Sequence, residues 1–407
     1  MRICVHPAGK GGVSFYRVRQ PYAKISDKCE VFIYDPDNHS PQRLNDEQEA
    51  ANILVFQMGF GTAVQDVVAA QKGGDKKVVM EFDDYIFEVN PMNPAYRTFG
   101  TKEYNLTYMD DKSAKRAIAE IERNPEDKRT YIQHKNGHVE VEMWKDGCNG
   151  FDLQANLTRA SATKWSIANC DLVTVTTPEL GKLFRKHRPS GPIAVLPNLV
   201  DFERWLPMKK NEDKEIRIGW QGGSAHYHDI HLVSKVLNRI LKERPNVKLV
   251  MKGSYYPSLF EDVKDQVEWL AWHGDIDTYP LDVLDMKLDI GICPVIDDPF
   301  NRGKSDIKWV EYSAMKIPAV VSPVCYKNVK HGKTGFVASN GNEWYQYLTK
   351  LLDDKELRKE IAEKAYTRAK GYHNADIQSQ AWFSALTDMR MGVMKTIKHP
   401  KKELVRG

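Results

Sequence analysis

The sequence predicts an α/β protein made of two doubly wound, parallel-sheet domains. Three observations predict it. Short apolar, β-branched runs alternate with amphipathic stretches through both halves of the chain, the pattern of strand–helix–strand units. Each half opens on a strand that runs into a glycine-rich turn, at 2–12 and again at 216–223. The 407 residues are enough for two domains with full cores.

The elements follow in order. Strand 2–6 leads into the loop Pro7-Ala-Gly-Lys-Gly11-Gly12-Val-Ser14 and a helix from about Phe15. Residues 31–34 and 53–57 read as the next strands, 63–71 as a helix, and 77–81 as a fourth strand that ends in Phe82-Asp83-Asp84-Tyr85. Between about 95 and 165 the rhythm breaks. A charged helical stretch (112–123), turns at Gly147 and Gly150 and a polar helix up to Asn169 predict an inserted lid or wall. Residues 171–176 resume the sheet, and the charged stretch 201–215 links the halves. Beyond it, 228–243 reads as a helix, 248–251 as a strand, and 290–321 as strand, loop, helix and strand. Residues 343–372 are helical, and a last helix spans about 376–391. The predicted domains are therefore 1–200 with its insertion, 201–375, and a terminal helix with a basic tail over 376–407.

Charged residues make up 28% and aromatic residues 10%, which places the chain among ordinary globular proteins and excludes fibrous and disordered classes. Cys4, Cys29, Cys148, Cys170, Cys293 and Cys325 form no C-x-x-C pair, so reduced core thiols in a cytoplasmic protein are expected. The opening strand predicts no signal peptide, and no apolar run approaches the roughly 18 residues of a spanning helix. The net charge is +4, but Arg390, Lys395, Lys398, Lys401, Lys402 and Arg406 stand against Glu403 alone in the tail. The body is thus close to neutral, which argues against a general nucleic-acid binder. The tail is a solvated terminus or a contact for a polyanion or membrane surface.

The most informative segment is Asn301-Arg-Gly-Lys304-Ser305-Asp306-Ile-Lys308-Trp-Val-Glu311. Lys304, Lys308 and Glu311 stand at i, i+4 and i+7, one face of a helix, with Ile307, Val310 and Ala314 beside them for packing. Two cations and a carboxylate at a loop-to-helix junction suit a nucleoside diphosphate. The lysines and the helix N-terminus take phosphates, assisted by Ser305, and Glu311 accepts from ribose hydroxyls. A lone Lys/Glu pair would be only a solvated ion pair. The turn Gly222-Gly223-Ser224-Ala-His226-Tyr-His228-Asp229 adds a second anion site. Its glycines admit close approach, Ser224 or Asp229 can cap the helix, and His226 can bond a phosphate or a sugar. His226, His228 and His231 lack a fixed fourth ligand, so no metal is expected.

In this order, several segments resemble the GT-B glycosyltransferases of family 4. They are Asp171–Pro178, Ile193–Asp201 with its Leu-Pro197-Asn198, Ile216–Gly223, Glu311-Tyr-Ser-Ala-Met-Lys-Ile-Pro318-Ala-Val-Val-Ser, and His331-Gly332-Lys-Thr-Gly335-Phe-Val. The resemblance spans residue 1 to about 375. It has one departure: the family carries two glutamates separated by seven residues, and the first would fall on Gly303. A phage-encoded and bacterial subset reads F-N-x-x-K-S-x-x-K-x-x-E, which Phe300 to Glu311 fit; in it the lysines take over the anchoring.

The resemblance implies two Rossmann-like domains, with the last helix crossing back onto the first. It implies a nucleotide-sugar donor held by Gly11, Gly12, Gly222, Gly223, Ser224 and Ser305. Lys304, Lys308, Glu311 and His226 would carry catalysis, and Arg17, Asp83 and Asp84 would meet the acceptor. No metal or other cofactor is expected, and the anomeric configuration would be retained. The acceptor would be the hydroxyl of a surface glycan or a lipid-linked sugar. A hydroxymethylated base in DNA is the alternative. A nucleotide-sugar epimerase and a non-catalytic carbohydrate- or nucleic-acid-binding module also stay open.

Weaker signals lie beside these. Gly9-Lys-Gly11-Gly12-Val-Ser14 is a dinucleotide fingerprint with serine at its third glycine. Arg17 serves equally well as a loop cap. Asp83-Asp84 ends a strand where ligands of such sheets bind, or caps a loop. His331-Gly332-Lys333-Thr334 has Lys327 where a phosphate loop needs its first glycine, and is rejected.

Overall fold

The β-branched runs build both sheets. The computed structural model describes residues 1–108, 111–123, 129–135, 137–148, 150–208 and 215–394, and of residues 111–113, 116, 117, 120 and 224 the backbone only. The basic tail from Lys395 and part of the charged linker, 209–214, lie outside the described residues.

The first domain begins with β1 (Arg2–His6), β2 (Glu30–Ile33), β3 (Ile53–Gln57) and β4 (Lys77–Phe82). An insertion follows, with β5 (Tyr104–Tyr108), β6 (Tyr131–Gln133) and β7 (Val139–Trp144), before β8 (Leu172–Val175) and β9 (Ile193–Val195) resume the domain. The main sheet runs β2-β1-β3-β4-β8-β9, every pair parallel. β3 is buried along its whole length, as a parallel strand covered on both faces must be. The second domain repeats the plan with β10 (Ile216–Gly222), β11 (Val247–Gly253), β12 (Val267–Leu270), β13 (Ile290–Cys293), β14 (Ala319–Val321) and β15 (Phe336–Val337). Its order is β12-β11-β10-β13-β14-β15, again parallel throughout.

The insertion contains the expected charged helix, Asp111–Arg123, and adds to it an unexpected antiparallel sheet, β5-β7-β6, whose strands are short and largely exposed at β5 and β6. Its charged composition conceals the strand pattern. The polar helix at its end, Leu153–Asn169, is capped by Asp152 and packs on the helix Thr62–Gln71 as part of the first domain. Residues 343–372, expected as one helical stretch, form two helices, Gly341–Asp353 and Lys355–His373, broken at Asp354, whose side chain caps the second.

The last helix, Ala375–Arg390, is capped by Asn374 and lays Trp382, Leu386 and Met389 against Ile3, Val18, Tyr22 and Leu199. It therefore crosses from the second domain back to the core of the first. All six cysteines are free and buried. Among the described residues no helix is long and apolar enough to cross a membrane.

The domains meet along 298–311. Asn90 Nδ2 donates to Asp298 Oδ2 (3.1 Å), Thr177 Oγ1 to the Gly303 carbonyl (2.9 Å), Asn198 Nδ2 to Ser305 Oγ (2.9 Å) and Tyr16 OH to Glu311 Oε1 (2.9 Å). The insertion adds an apolar contact, since Phe300 is buried with Val89, Tyr96, Trp144 and Phe151.

Candidate active site

The helix of the central segment is Ile307–Ala314. Gly303 ends the short helix Pro299–Arg302, its N–H bonded to the Phe300 carbonyl. Asp306 gives its carboxylate to Asn328 Nδ2 (2.8 Å) rather than to a helix cap. Lys304 therefore lies in the loop before the helix, not on its face with Lys308 and Glu311 as the spacing predicts. Aromatic rings set both lysines instead. The Lys304 ammonium sits 4.9 Å from the Phe300 ring centre, and that of Lys308 sits 5.2 Å from Trp220. Trp220 is wholly buried at the end of β10. Burial, and then the charge of Lys304, lower the pKa of Lys308.

His226 stands beside these cations. Its Nδ1 is 2.6 Å from Asp229 Oδ2, and Asp229 Oδ1 accepts from the Ile296 N–H (2.8 Å), tying the helix Tyr227–Glu243 to the end of β13. Asp229 thus binds His226 instead of capping the helix. The charge of Lys308 and then burial push His226 down to about 4, against the pull of Asp229. His226 is neutral near pH 7. With Asp229 on Nδ1–H, Nε2 carries the lone pair and accepts a hydrogen bond. That favours a sugar hydroxyl over a phosphate as its ligand.

Glu311 is 3% exposed. Its Oε1 accepts from Tyr16 OH (2.9 Å), and its Oε2 from Tyr279 OH (3.1 Å) and Gln221 Nε2 (3.3 Å). Burial raises its pKa to about 7, although the three donors and Lys308 pull the other way. The carboxylate expected to be open to a ribose is already engaged.

Asp83 and Asp84 close β4 from the opposite domain. Burial raises both, with Asp84 adding to the rise of Asp83, while Lys304 opposes that of Asp84. Asp83 Oδ1 is buried without a partner among the described residues. Asp84 of the first domain and Lys304 of the second thus share one electrostatic space.

Arg17 departs from its expected place at the acceptor. It is fully buried: Nε donates to Glu81 Oε1 (2.6 Å), Nη1 to the Leu196 carbonyl, and the guanidinium lies 4.7 Å from the Trp382 ring. It joins β4, the segment directly after β9 and the last helix. Arg17→Met strands the fully buried Glu81, so a loss of about 3–5 kcal/mol in stability is expected from chemical denaturation. A stable variant with weakened acceptor binding would restore the acceptor role.

The glycines separate into two kinds. At Gly222 a Cβ would come within 2.5 Å of the Trp220 ring and 3.1 Å of His226, so the fold itself requires glycine. At Gly11 and Gly223 a Cβ would meet nothing within 4 Å, and at Gly12 only Ile276 and Tyr16 at 3.6–3.9 Å. Bare backbone there faces open space. Ser14 holds the first loop, donating to Gln57 Oε1 (2.7 Å) and accepting from the Gly9 N–H (3.1 Å). The side-chain role expected of Ser224 lies outside the described residues; its backbone begins the 3-10 turn Ser224–His226. Ser305, with Asn198 on its hydroxyl, belongs to the domain seam. Gly303 is buried, and a Cβ there would come within 3.0 Å of Leu180 of the first domain. A side chain at this position requires Leu180 to give way by a few tenths of an ångström.

Tyr16, Gln221, Tyr279 and Trp220 join the site without being given a role from the sequence, and Phe300, matched there only as the start of the F-N-x-x-K-S pattern, joins them. Tyr16 and Gln221 lie within or beside the glycine turns, the one available clue. Tyr279 carries none. Among the described residues no group of three or more His, Cys, Asp or Glu side chains could hold a metal ion.

Residues 215–354 match the family model for "Glycosyl transferases group 1". No curated protein sequence matches the chain. Three solved structures are similar over nearly its whole length. Alr3699/HepE of Anabaena, determined in complex with UDP, is 13% identical, with a TM-score of 0.58 over 95% of this chain and all of its own. Sucrose-phosphate synthase from Thermosynechococcus elongatus is 13% identical, with a TM-score of 0.59 over 96% of this chain and all of its own. A glycosyltransferase from Rickettsia africae is 11% identical, with a TM-score of 0.55 over 95% of this chain and 98% of its own. At such identities the likeness is one of fold. The chain has the GT-B fold, and the domain holding the Gly222 turn, both lysines and Glu311 is the one that carries the group 1 glycosyltransferase match.

Proposed function

We propose that this protein transfers a sugar from a nucleoside-diphosphate sugar to an acceptor hydroxyl. The observation that carries the reading is the convergence of Lys304, Lys308 and a neutral His226 on the open glycine turn of the domain that matches the glycosyltransferase model. The diphosphate lies against the two ammoniums and the turn amides. Negative charge grows on it as the glycosidic bond breaks, and fixed cations in a partly dry cleft stabilise that charge. His226 Nε2 accepts from a hydroxyl of the donor sugar, and Glu311 accepts from the ribose.

Asp83 and Asp84 face the cations from the acceptor side. Carboxyls raised by burial are suited to taking a hydroxyl proton near pH 7. The configuration is retained, and no metal takes part. The Anabaena relative binds UDP, and a further structure of it holds UDP-glucose, which makes uridine the first nucleotide to test. The acceptor is a glycan or lipid-linked sugar reached from the cytoplasm. The near-neutral body weighs against a DNA acceptor.

The test is a thermal-shift screen of UDP, GDP, CMP, dTDP and their sugars on the wild type and Glu311→Ala, followed by donor hydrolysis without acceptor. One nucleotide is expected to raise the melting temperature of the wild type only, as a ligand of the native state must. Its sugar is expected to be hydrolysed slowly. No shift with any nucleotide sinks the reading, and a shift without hydrolysis leaves a binding module.

A further inference from the structure

The three donors on Glu311 are not equivalent. Gln221 and Tyr279 belong to the same domain as the carboxylate and are themselves held. Tyr312 OH donates to Gln221 Oε1, and Tyr279 is packed between Trp205 (5.5 Å) and Trp272 (4.7 Å). Tyr16 comes from the other domain. It sits in the π-helical turn Phe15–Arg19, directly after the open glycines of the first loop. Such turns interrupt regular helical bonding and recur at functional sites.

A carboxylate offers about four lone-pair positions, and three are taken here. A vicinal diol needs two. One resident donor must leave, and Tyr16, although its ring is buried in the core of the second domain, is the one carried on the first domain and so the one that can withdraw with it. We propose that Tyr16 is a ribose-site latch: its phenol holds Glu311 across the domain seam in the empty protein, and a nucleotide's vicinal diol displaces it. This rests on the donor-site reading above and extends it. Donor arrival then breaks one of the hydrogen bonds that join the domains along 298–311, so occupancy of the second domain is felt by the glycine loop of the first. Tyr16 is a gating residue, not a catalytic one, because it leaves as the ligand enters.

The experiment measures UDP binding by calorimetry for the wild type, Tyr16→Phe and Tyr279→Phe, with melting temperatures to confirm that each variant folds. Y16F removes the competitor and keeps the ring, so UDP is expected to bind about fivefold more tightly, the worth of one net hydrogen bond. Y279F frees a lone pair on Oε2, but the ring stays between Trp205 and Trp272 and still covers it, so Tyr16 must still be displaced and binding no tighter than that of the wild type is expected. A merely structural loss would not tighten binding. If the wild type binds UDP and Y16F binds it equally or more weakly, the latch is overturned while the donor site stands. If both variants tighten alike, the cross-domain character is overturned. If no variant binds UDP, latch and donor site fall together.

Discussion

Lys308→Met is expected to lower donor turnover by a factor of about 100 or more, the usual cost of removing one preorganised group from a developing negative charge. Lys308 is the deeper of the two cations. Its ammonium is partly buried over Trp220, on the first turn of the helix Ile307–Ala314, and feels both His226 and Glu311. Charge placed there acts through little water, and it acts most strongly on the form with most negative charge. Methionine keeps the length and the contact with the indole, so packing should survive. The loss should fall on kcat more than on nucleotide affinity, because Lys304 remains. A second consequence follows from the same contact. The charge of Lys308 is the foremost cause of the low pKa of His226, which lies at about 4. In K308M the imidazole titration, followed by NMR, should move upward towards its ordinary range. Turnover within about twofold of the wild type, or an unmoved imidazole, would remove Lys308 from the site as described.

The second large effect concerns Glu311 and pH. Its folded pKa of about 7 lies above its ordinary 4.5, and burial is the first cause. A group raised in this way binds more protons in the folded than in the unfolded chain between those two values. Stability from this group is therefore fully present below about pH 4.5, and it is lost as pH rises through 7. The difference of pKa corresponds to on the order of 3 kcal/mol. Glu311→Gln cannot ionise and should lack this slope. Melting temperatures measured from pH 5 to 8 should fall more steeply for the wild type than for E311Q. Glu81, Asp83 and Asp84 are also raised by burial, but they are common to both proteins, so the difference isolates Glu311. Parallel curves would show that the carboxylate is ionised at little cost, already repaid by its three donors.

Both predictions bear on a residue pair that the sequence placed and a set of partners that it did not. Lys308 and Glu311 are three apart within one helix, and local periodicity is enough to put them on one face. Lys304, four residues earlier, belongs to the same pattern, yet it lies off the helix. Asp306 spends its carboxylate on Asn328, and Gly303 closes the preceding helix. Arg17 reads as a ligand contact beside a glycine loop, and is instead a buried strut between Glu81 and the last helix. The charged helix of the insertion, Asp111–Arg123, is legible, while the sheet beside it depends on pairing between β5, β6 and β7, segments too polar to show a strand pattern.

By itself the sequence determined what depends on neighbours along the chain: the alternation of strands and helices, the two glycine turns, the Lys308–Glu311 face and the presence of the last helix. Those follow from backbone periods and from the few residues that tolerate close approach. Only the tertiary structure decided the rest. It set Tyr16 against Glu311 across 295 residues, packed Leu180 close against Gly303, made His226 neutral and held Glu311 near pH 7. Hydrogen-bond partners and protonation states depend on which distant groups exclude water together, and no local pattern in the chain encodes that.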